Sequence, residues 1–596
     1  MTCRLTSETG PSPAYGTRNL QLHTPGALVR LGGCCRGGYG NLPVVATATS
    51  LETAESTHLP RAYPDFHDHL RILEEHGLLV RVRDPINKDT ELHPLVRWQF
   101  RGGIPENERK AFLFENVVDG SGRKYDIPVA VGALAANREI YRLGIGCPLD
   151  EINARWSEAI ARPIEPNLVV DAAPCQEIVI EGADLDRPGL ALDGLPVPIS
   201  TPGWDISPYI TAGQFITKDP DTGIQNVGNY RGQIKAPQRL GMNPSIELRP
   251  GILLHWYKHK KRGTKLPCAV AIGIPPVVSF AAVQKVPEHL DELAVAGGLL
   301  GVPLNVVRAR TVDLLVPAEA EIIIEGFIDT EWLEPEAPFG ESHGYVNVQE
   351  YNAFMDVTCI TRRSNAIYCS IISQVTPSES SLIKRVALEA VLLEHLQVGL
   401  AIKGIKRVVM HEPLTNLRKV VAVVFERGMP QTEIWRALYG LAAVQRSIGK
   451  MIVAVDDDID PDNADALLWA LSYRMKPHLD MQVLEHKDAG HGPRDRSGGD
   501  EDSAILFNAT LKHDFPPISL PKRPYMEHAK DLWEKLGLPP LKPESPWFGY
   551  SLGDWSEELD GFADMATKGG YFEVGEQIAR QRRNDVEMNT NVRDSG

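Results

Sequence analysis

Long apolar runs, paired cysteines and an excess of basic charge are all missing from this 596-residue chain. No stretch approaches the roughly 18 consecutive apolar residues of a membrane-spanning helix, so no membrane span is expected. The eight cysteines (Cys3, Cys34, Cys35, Cys147, Cys175, Cys268, Cys359 and Cys369) form no C-x-x-C pair. That pattern speaks against a zinc site or a disulfide framework and for reduced thiols in the cytoplasm. Lys plus Arg number 62 against 78 Asp plus Glu, and the net charge of −16 excludes nucleic acid as the main partner. Phosphate-backbone binding needs dense basic surface, whereas a small anionic substrate needs only one or two local cations. Walker A, G-x-S-x-G, H-E-x-x-H and strand-linked G-x-G-x-x-G motifs are absent as well, which removes the usual support for ATP-driven, zincin and Rossmann-type dinucleotide chemistry.

What is present is an ordinary globular mixture, 43% apolar and 23% charged, with length for several domains. The first 50 residues carry Arg4, Arg18, Arg30 and Arg36 but only Glu8 as an acid. Such text has some features of an organellar leader but no clear amphipathic helix, so residues 1–60 are expected to be a disordered leader outside the fold. From Tyr63 a helical stretch, FHDHLRILEEHG, ends at Gly77 and is followed by the alternating strand text LLVRVRDPI. A hairpin is expected where SPYITAGQFITKD and GIQNVGNYRGQIKA flank Pro220, Asp221, Thr222 and Gly223. Further strand text at CAVAIGIP, LNVVRAR, VDLLVP and AEIIIEGFI predicts a mostly antiparallel barrel or split sheet. After Arg363, SLIKRVALEAVLLEHL reads as an amphipathic helix capped by Ser380 or Ser381. KRVVM, VVAVVF and MIVAV then alternate with helical TEIWRALYGLAAV and ADALLWALSYR, the rhythm of an α/β domain. DAGHGPRDRSGGDEDS reads as a polar linker, and a tail helix is expected near Asp564 to Arg583.

Four constellations could carry chemistry. In Glu336-Ala-Pro-Phe-Gly-Glu341-Ser-His343-Gly-Tyr, Pro338 and Gly340 exclude a regular helix, so two carboxylates are expected on a tight loop, where paired acids suit proton transfer. In Asn226-Val-Gly228-Asn229-Tyr230-Arg231, the odd separation places Asn226 and Arg231 on opposite faces of a strand. Asn226 can then address a metal or phosphate while the planar fork of Arg231 holds a carboxylate. His255-Trp-Tyr-Lys-His259-Lys260-Lys-Arg262 is a local basic site in an acidic protein, suited to a phosphate-bearing cofactor. The acids of Asp456-Asp-Asp458-Ile-Asp460-Pro-Asp462 invite a calcium reading, but Pro461 stands where an EF-hand needs Gly and Leu467 where it needs Glu. They are expected instead at a strand end running into a helix, with Asp462 near the cap. Each constellation, taken alone, also has a plain structural reading as a solvated loop, strand or helix end.

In order along the chain, Asn226-V-G-N-Y-Arg231, P-E-H-L-D-Glu292-L-A-V-A-Gly297, E-A-P-F-G-E-S-H-G-Y, V-D-D-D-I-D-P-D-N-A-D-A-L-L-W-A and I-L-F-N-A-T resemble the UbiD family of prenylated-FMN-dependent decarboxylases, from about Tyr63 to Arg583. The resemblance implies an α+β fold: a strand-rich split-barrel flavin-binding domain, an α/β oligomerisation domain and a C-terminal tail. The corresponding regions are residues 61–365, 366–490 and 491–596. It implies that a prenylated FMN joins covalently to an aromatic or unsaturated acid, after which carbon dioxide leaves and a proton replaces it. Arg231 and Glu336 match the pair acting on the substrate carboxylate and cofactor, and Glu341 matches the acid that returns the proton. Asn226 and Glu292 match ligands of a manganese or magnesium ion bridging to the flavin phosphate, with potassium or sodium nearby. The third ligand falls where APQRLGMNPSIEL inserts extra text between Arg231 and the H-W-Y-K-H segment; His259 is favoured, His255 comes second, and Lys260 is a direct phosphate contact if neither binds metal. Gly228, Asn229 and Tyr230 fall in the cofactor-binding stretch. The family's D-A-T reads Asn508-Ala-Thr510 here, a change expected to touch structure more than chemistry, and the W-F-G-Y-S-L-G-D-W tail, more like hydroxyarylic and phthalate-type members than cinnamate-type ones, leans towards an aromatic carboxylate. A flavin prenyltransferase as cofactor supplier and a dimeric or hexameric homo-oligomer are also implied. The alternatives are a reversible carboxylase or aryl-CoA decarboxylase, a catalytically silent flavin-binding assembly partner, and a flavin-free metal-dependent lyase.

Overall fold

The computed structural model describes residues 61–581 apart from 171–172, 245–249, 285, 414, 416–417, 445–447, 489–500, 514–516 and 544–555. The leader at residues 1–60, most of the polar linker and the W-F-G-Y-S-L-G-D-W stretch therefore lie outside the described residues. The helix Phe66–Glu75 forms where it was expected, its start fixed by an Asp65/Asp68 capping box that satisfies backbone donors the helix cannot. It precedes a four-stranded sheet of Leu79–Val82, Ala111–Phe114, Val129–Val131 and Tyr368–Ser370.

Eight antiparallel strands follow: β1 (Ile178–Glu181), β2 (Tyr209–Lys218), β3 (Gln225–Ala236), β4 (Arg239–Asn243), β5 (Leu266–Ile272), β6 (Ile322–Ile328), β7 (Glu334–Gly340) and β8 (Val346–Arg362). Their order β4-β3-β2-β5-β6-β8 closes because β4 also pairs β8, so six strands make a barrel with no free edge among them. β1 and β7 hang from the 17-residue β8. The hairpin β2–β3 turns at the expected residues, with Gly223 at φ 78°, a left-handed geometry that glycine adopts without strain. The strand β4 lies inside the text that reads as an insertion; it is the element that completes the barrel.

The α/β region is a mixed five-stranded sheet of β9 (Ile405–Met410), β10 (Val420–Phe425), β11 (Met451–Asp456), β12 (Met481–Asp488) and β13 (Glu501–Asn508), in the order β9-β10-β11-β13-β12. The helices that position the site are α1 (Gly251–Arg262), α2 (Glu292–Leu300) and α3 (Glu379–Glu394). The cap of α3 is Ser378, not Ser380 or Ser381; Ser381 closes the reciprocal half of the capping box. Leu382 and Ile383 of α3 pack into the barrel core and Leu388 and Leu392 into the α/β core, so one helix joins the two. The expected tail helix is two, Glu557–Thr567 and Tyr571–Gln581, parted around Gly569 and Gly570. Among the described residues no helix is long and apolar enough to cross a membrane, and Cys147, Cys175, Cys268, Cys359 and Cys369 are buried free thiols.

Candidate active site

Two polar centres sit on one barrel strand, and irregularities in strand pairing decide where they point. The register of β3 on β2 shifts between Tyr230 and Gly232, which places Arg231 at a bulge. The pairing of β7 with β8 shifts on both sides of Glu336. A bulge turns a side chain out of the regular alternation, and the two shifts bring Arg231 and Glu336 together across the barrel. Arg231 donates from Nε to Glu336 Oε1 at 2.6 Å and from Nη2 to Oε2 at 2.7 Å, a two-pronged pair, while its Nη1 donates to Glu341 Oε1. Asn243 of β4 and Asn352 of β8 also donate to Glu336 Oε2, at 2.9 and 3.2 Å. Phe339 lies under the guanidinium at 4.9 Å and is steadied by Tyr209 at 4.5 Å. Burial works against the charge of Arg231, but Glu336 and Glu341 outweigh it and raise its pKa above the ordinary value.

The two glutamates were expected on a tight loop. Glu336 is instead a strand residue, and Glu341 opens the turn that follows, where its N–H donates to Tyr345 O at 2.9 Å. Pro338 is compatible with this because β7 pairs β8 on one side only, at the rim of the sheet.

At the other end of β3, Asn226 and Glu292 meet: Asn226 Nδ2 and Val227 N donate to the two oxygens of Glu292, each at 2.8 Å. Glu292 is the first residue of α2, whose cap is Asp291. Burial pushes the carboxyl of Glu292 up to about 8 and that of Asp291 up to about 7. A cleft of about 730 Å³ opens here, walled by Asn226 to Tyr230, the start of α1, the loop carrying Gln284, and Lys384 of α3. Gly228 lets the Tyr230 ring fold back over the strand, since a Cβ there would stand 2.3 Å from the phenol oxygen. Gly251 likewise lets α1 approach, because its Cβ would meet Asn226 Cγ at 2.6 Å.

The basic segment is less uniform than its sequence. His255 lines the cleft, is held at Nδ1 by Thr217 Oγ1 at 2.9 Å, and is lowered by burial to about 4, so its ring is neutral. His259, one helical turn further from Asn226, is absent from the cleft lining and faces Thr264 Oγ1 at 3.0 Å. Lys260 turns away to Thr330 O at 2.9 Å and lies over the Trp256 ring. Lys258 and Arg262 are paired with Asp219 and Asp221. The structure therefore brings Asn226, Glu292 and His255 to one cleft and leaves His259 and Lys260 outside its lining.

This donor set fits a divalent cation. Asn226 Oδ1 is buried without a hydrogen-bond partner among the described residues, beside a carboxylate destabilised by burial and a neutral imidazole. Among the described residues no group of three or more His, Cys, Asp and Glu side chains makes a metal cluster, and this set contains an amide and only two such residues. Several members had no motif signal. Asn243 lies in the apparent insertion; Lys384 stands beside Arg385 in a helix of mostly apolar residues, lowered to about 8 by burial and by Arg418 and Arg231 against Glu341. Gln284 has both side-chain polar atoms buried and unpartnered among the described residues.

Of the other motifs, Asp458 and Asp456 pair with Arg474, and Asp462 with Arg385 and Arg407. The helix after the aspartates is capped by Asn463, one residue past Asp462. Asn508 bonds Gln431 and Thr510 inside the α/β sheet.

Comparison with known proteins gives a consistent answer. Three family models match in order: the 3-octaprenyl-4-hydroxybenzoate carboxy-lyase N-terminal domain at residues 70–160, its Rift-related domain at 168–375 and its C-terminal domain at 382–496. The chain is similar to the UbiD-class enzyme HmfF from Pelotomaculum thermopropionicum, solved in complex with FMN, at 29% identity and a TM-score of 0.68, covering 78% of this chain and 100% of that one. An evolved dimeric form of HmfF, in complex with prFMN, matches at 29% identity and a TM-score of 0.65, over 77% of this chain and 97% of that one. An uncharacterized protein from Archaeoglobus fulgidus is 29% identical over 462 residues, which is 71% of this chain and 86% of that protein.

Proposed function

Because the chain belongs to the UbiD family and is a carboxy-lyase, we propose that it removes carbon dioxide without oxidation from an aromatic or α,β-unsaturated carboxylic acid, with prenylated FMN as its cofactor. The observation that carries this reading is Arg231 held between Glu336 and Glu341 beside the cleft. The aromatic substrate class is supported by the hydroxybenzoate named in the matching family models, and the cofactor by its presence in the similar HmfF structure.

The residues divide the work. Arg231 and Glu336 address the substrate carboxylate: the guanidinium neutralises it, and Glu336, fixed by Asn243 and Asn352, sets the guanidinium's angle. Both oxygens of Glu336 are taken by donors, which leaves Glu341 as the carboxyl that exchanges a proton. The proton moves from Glu341 to the carbon that loses carbon dioxide; the electron pair of the broken C–C bond becomes the new C–H bond. When bound, the prenylated flavin supplies the electron sink that makes this cleavage accessible. Asn226, His255 and Glu292 would hold a manganese or magnesium ion, and Lys384 the flavin phosphate, with potassium or sodium as a further ion. His255 replaces His259 in this role because it lines the same cleft as Asn226 and Glu292.

A flavin prenyltransferase would supply the cofactor. Exposed Leu468, Tyr473 and Val483 in the α/β region support a homo-oligomer, and the free thiols support a reducing, cytoplasmic setting. The test is Glu341→Gln in enzyme co-expressed with a flavin prenyltransferase. Carbon dioxide release from aromatic acids should fall by at least about 10³-fold while the flavin spectrum is retained. Full activity in that variant would overturn the assignment, and flavin binding with no turnover in the unaltered enzyme would favour the silent-partner reading.

A further inference from the structure

Behind the acid turn lies a seam of buried polar groups that the reaction as described does not use. Ser200 Oγ, Asp205 Oδ1, Gln374 Nε2 and Thr376 Oγ1 are all buried and have no hydrogen-bond partner among the described residues, and their side chains belong to residues at most 7% exposed. The remaining bonds of these residues tie the seam together. Arg97 donates to Gln374 Oε1 and to Ser200 O, Arg101 donates to Thr376 O at 2.9 Å, and Thr201 N donates to Asp205 Oδ2 at 2.7 Å. The seam ends against Gly340: a Cβ there would stand 2.8 Å from Gln374 Cγ and 3.1 Å from Thr201 Oγ1. Its other end is the turn bearing Trp204 and Ile206, which are 67% and 77% exposed. So it lies between a solvent-exposed turn and Gly340, the residue next to Glu341.

Four buried polar atoms without partners in one seam are costly unless water satisfies them, since each would otherwise forfeit its hydrogen bond. The surroundings also suit a proton carrier at the solvent end. Burial pushes the carboxyl of Asp205 up to about 6, against Thr201 N and the Arg97 guanidinium, which pull it down. His93, on the same helix as Arg97, is lowered by burial to about 3 and stays neutral.

We propose that this seam holds ordered water and carries protons from solvent to Glu341, with Asp205 as the relaying acid. The inference rests on the reading of Glu341 as the proton donor. Each turnover leaves Glu341 as a carboxylate, because its proton has gone to carbon. Asp205 passes a proton inward along water and the seam's hydroxyl groups, with the Gln374 amide orienting the water, and takes one from hydronium or a buffer acid outside. No oxidant or reductant enters, and the sum is one proton consumed for each carbon dioxide released. Asp205 and Gln374 are positioning and relay groups, not catalytic residues, since neither is proposed to touch substrate.

The experiment compares flavin-loaded wild type with Asp205→Asn in single-turnover and steady-state assays. The first turnover should keep its rate, because Glu341 starts protonated, while steady-state kcat falls at least tenfold with KM unchanged. Added imidazole should restore most of that loss, and the solvent deuterium isotope effect on kcat should rise. Gln374→Met should show the same split to a smaller degree. A variant in which both phases fall together without imidazole rescue, or in which neither changes, overturns the relay. Independently of turnover, a high-resolution crystal structure should show water on Ser200 Oγ, Asp205 Oδ1 and Thr376 Oγ1, and a dry seam overturns the proposal as well. Failure of wild type to release carbon dioxide in the first turnover would remove the decarboxylase reading and the relay with it, whereas normal wild-type turnover with an unaffected Asp205→Asn removes the relay alone.

Discussion

Arg231 and Arg474 each gather two acids, yet one cluster sits at the site and the other only holds the fold. Arg474 pairs with Asp456 and Asp458, lies over the Trp469 ring and is buried at the end of β11. Asp458 takes a second cation, Arg427, at 3.0 Å, which also reaches Asp457 at 3.8 Å, and Asp456 accepts the Leu511 N–H, so these acids are tied to cations and backbone within the fold. Burial pushes Asp456 up to about 6 and Arg474 opposes it, while Arg474 and Arg427 hold Asp458 below its ordinary value despite its burial. Around Arg231 two carboxylates share one guanidinium, with Lys384 of the cleft wall acting on Glu341, and the group is held at two breaks in strand register. A closed cluster outside the cleft lining has nothing to exchange a proton with. One beside the cleft wall at Lys384 can take and release a proton.

Three changes would break or sharpen this contrast. Arg231→Lys keeps the charge and loses the planar fork, so kcat should drop by about 10³-fold with the melting temperature nearly unchanged; a loss below tenfold would mean that the fork is not used. Arg474→Leu should do the reverse. Breaking a buried pair leaves uncompensated acids, at a cost of about 3–5 kcal/mol in denaturant unfolding, and the fraction still folded should turn over normally. Lost turnover per folded molecule would erase the distinction. The smallest effect belongs to Asp462, which is only partly buried. Arg385 and Arg407 hold its carboxyl down to about 2, against the opposing effect of burial. A depressed carboxyl stabilises the fold above its unfolded pKa and loses that contribution as pH falls. Asp462→Asn should therefore cost about 1 kcal/mol at neutral pH, and the difference from wild type should vanish between about pH 4 and pH 2. A difference that persists below pH 2 would show that its role is packing.

The legibility of the site followed the same line. Arg231, Glu336, Glu341, Asn226 and Glu292 stand in short, chemically distinctive strings that single them out in the sequence alone. Asn243 was not, because it sits in text that reads as an insertion and acquires its role only through pairing opposite Arg231. His259 and His255 are four residues apart on one helix, and composition cannot rank them; the helical turn that faces Asn226 does. The basic appearance of that segment was misleading for a related reason: Asp219 and Asp221, on the preceding hairpin, neutralise Lys258 and Arg262. Lys384 lies more than 150 residues from Arg231, on a helix whose sequence announces only packing.

By itself the sequence determined the period of each element, the closure-prone strand text, the α/β rhythm after Arg363 and the residue types available for acid, base and ligand work. These are local properties, set by side-chain spacing and turn chemistry. Tertiary structure decided the rest: that β4 closes the barrel, that bulges aim Arg231 and Glu336 at each other, that His255 rather than His259 lines the cleft, and that unpartnered polar groups gather behind Gly340. Each depends on strand register and long-range pairing, where a shift of one residue reverses the face a side chain presents and leaves no mark in the local pattern.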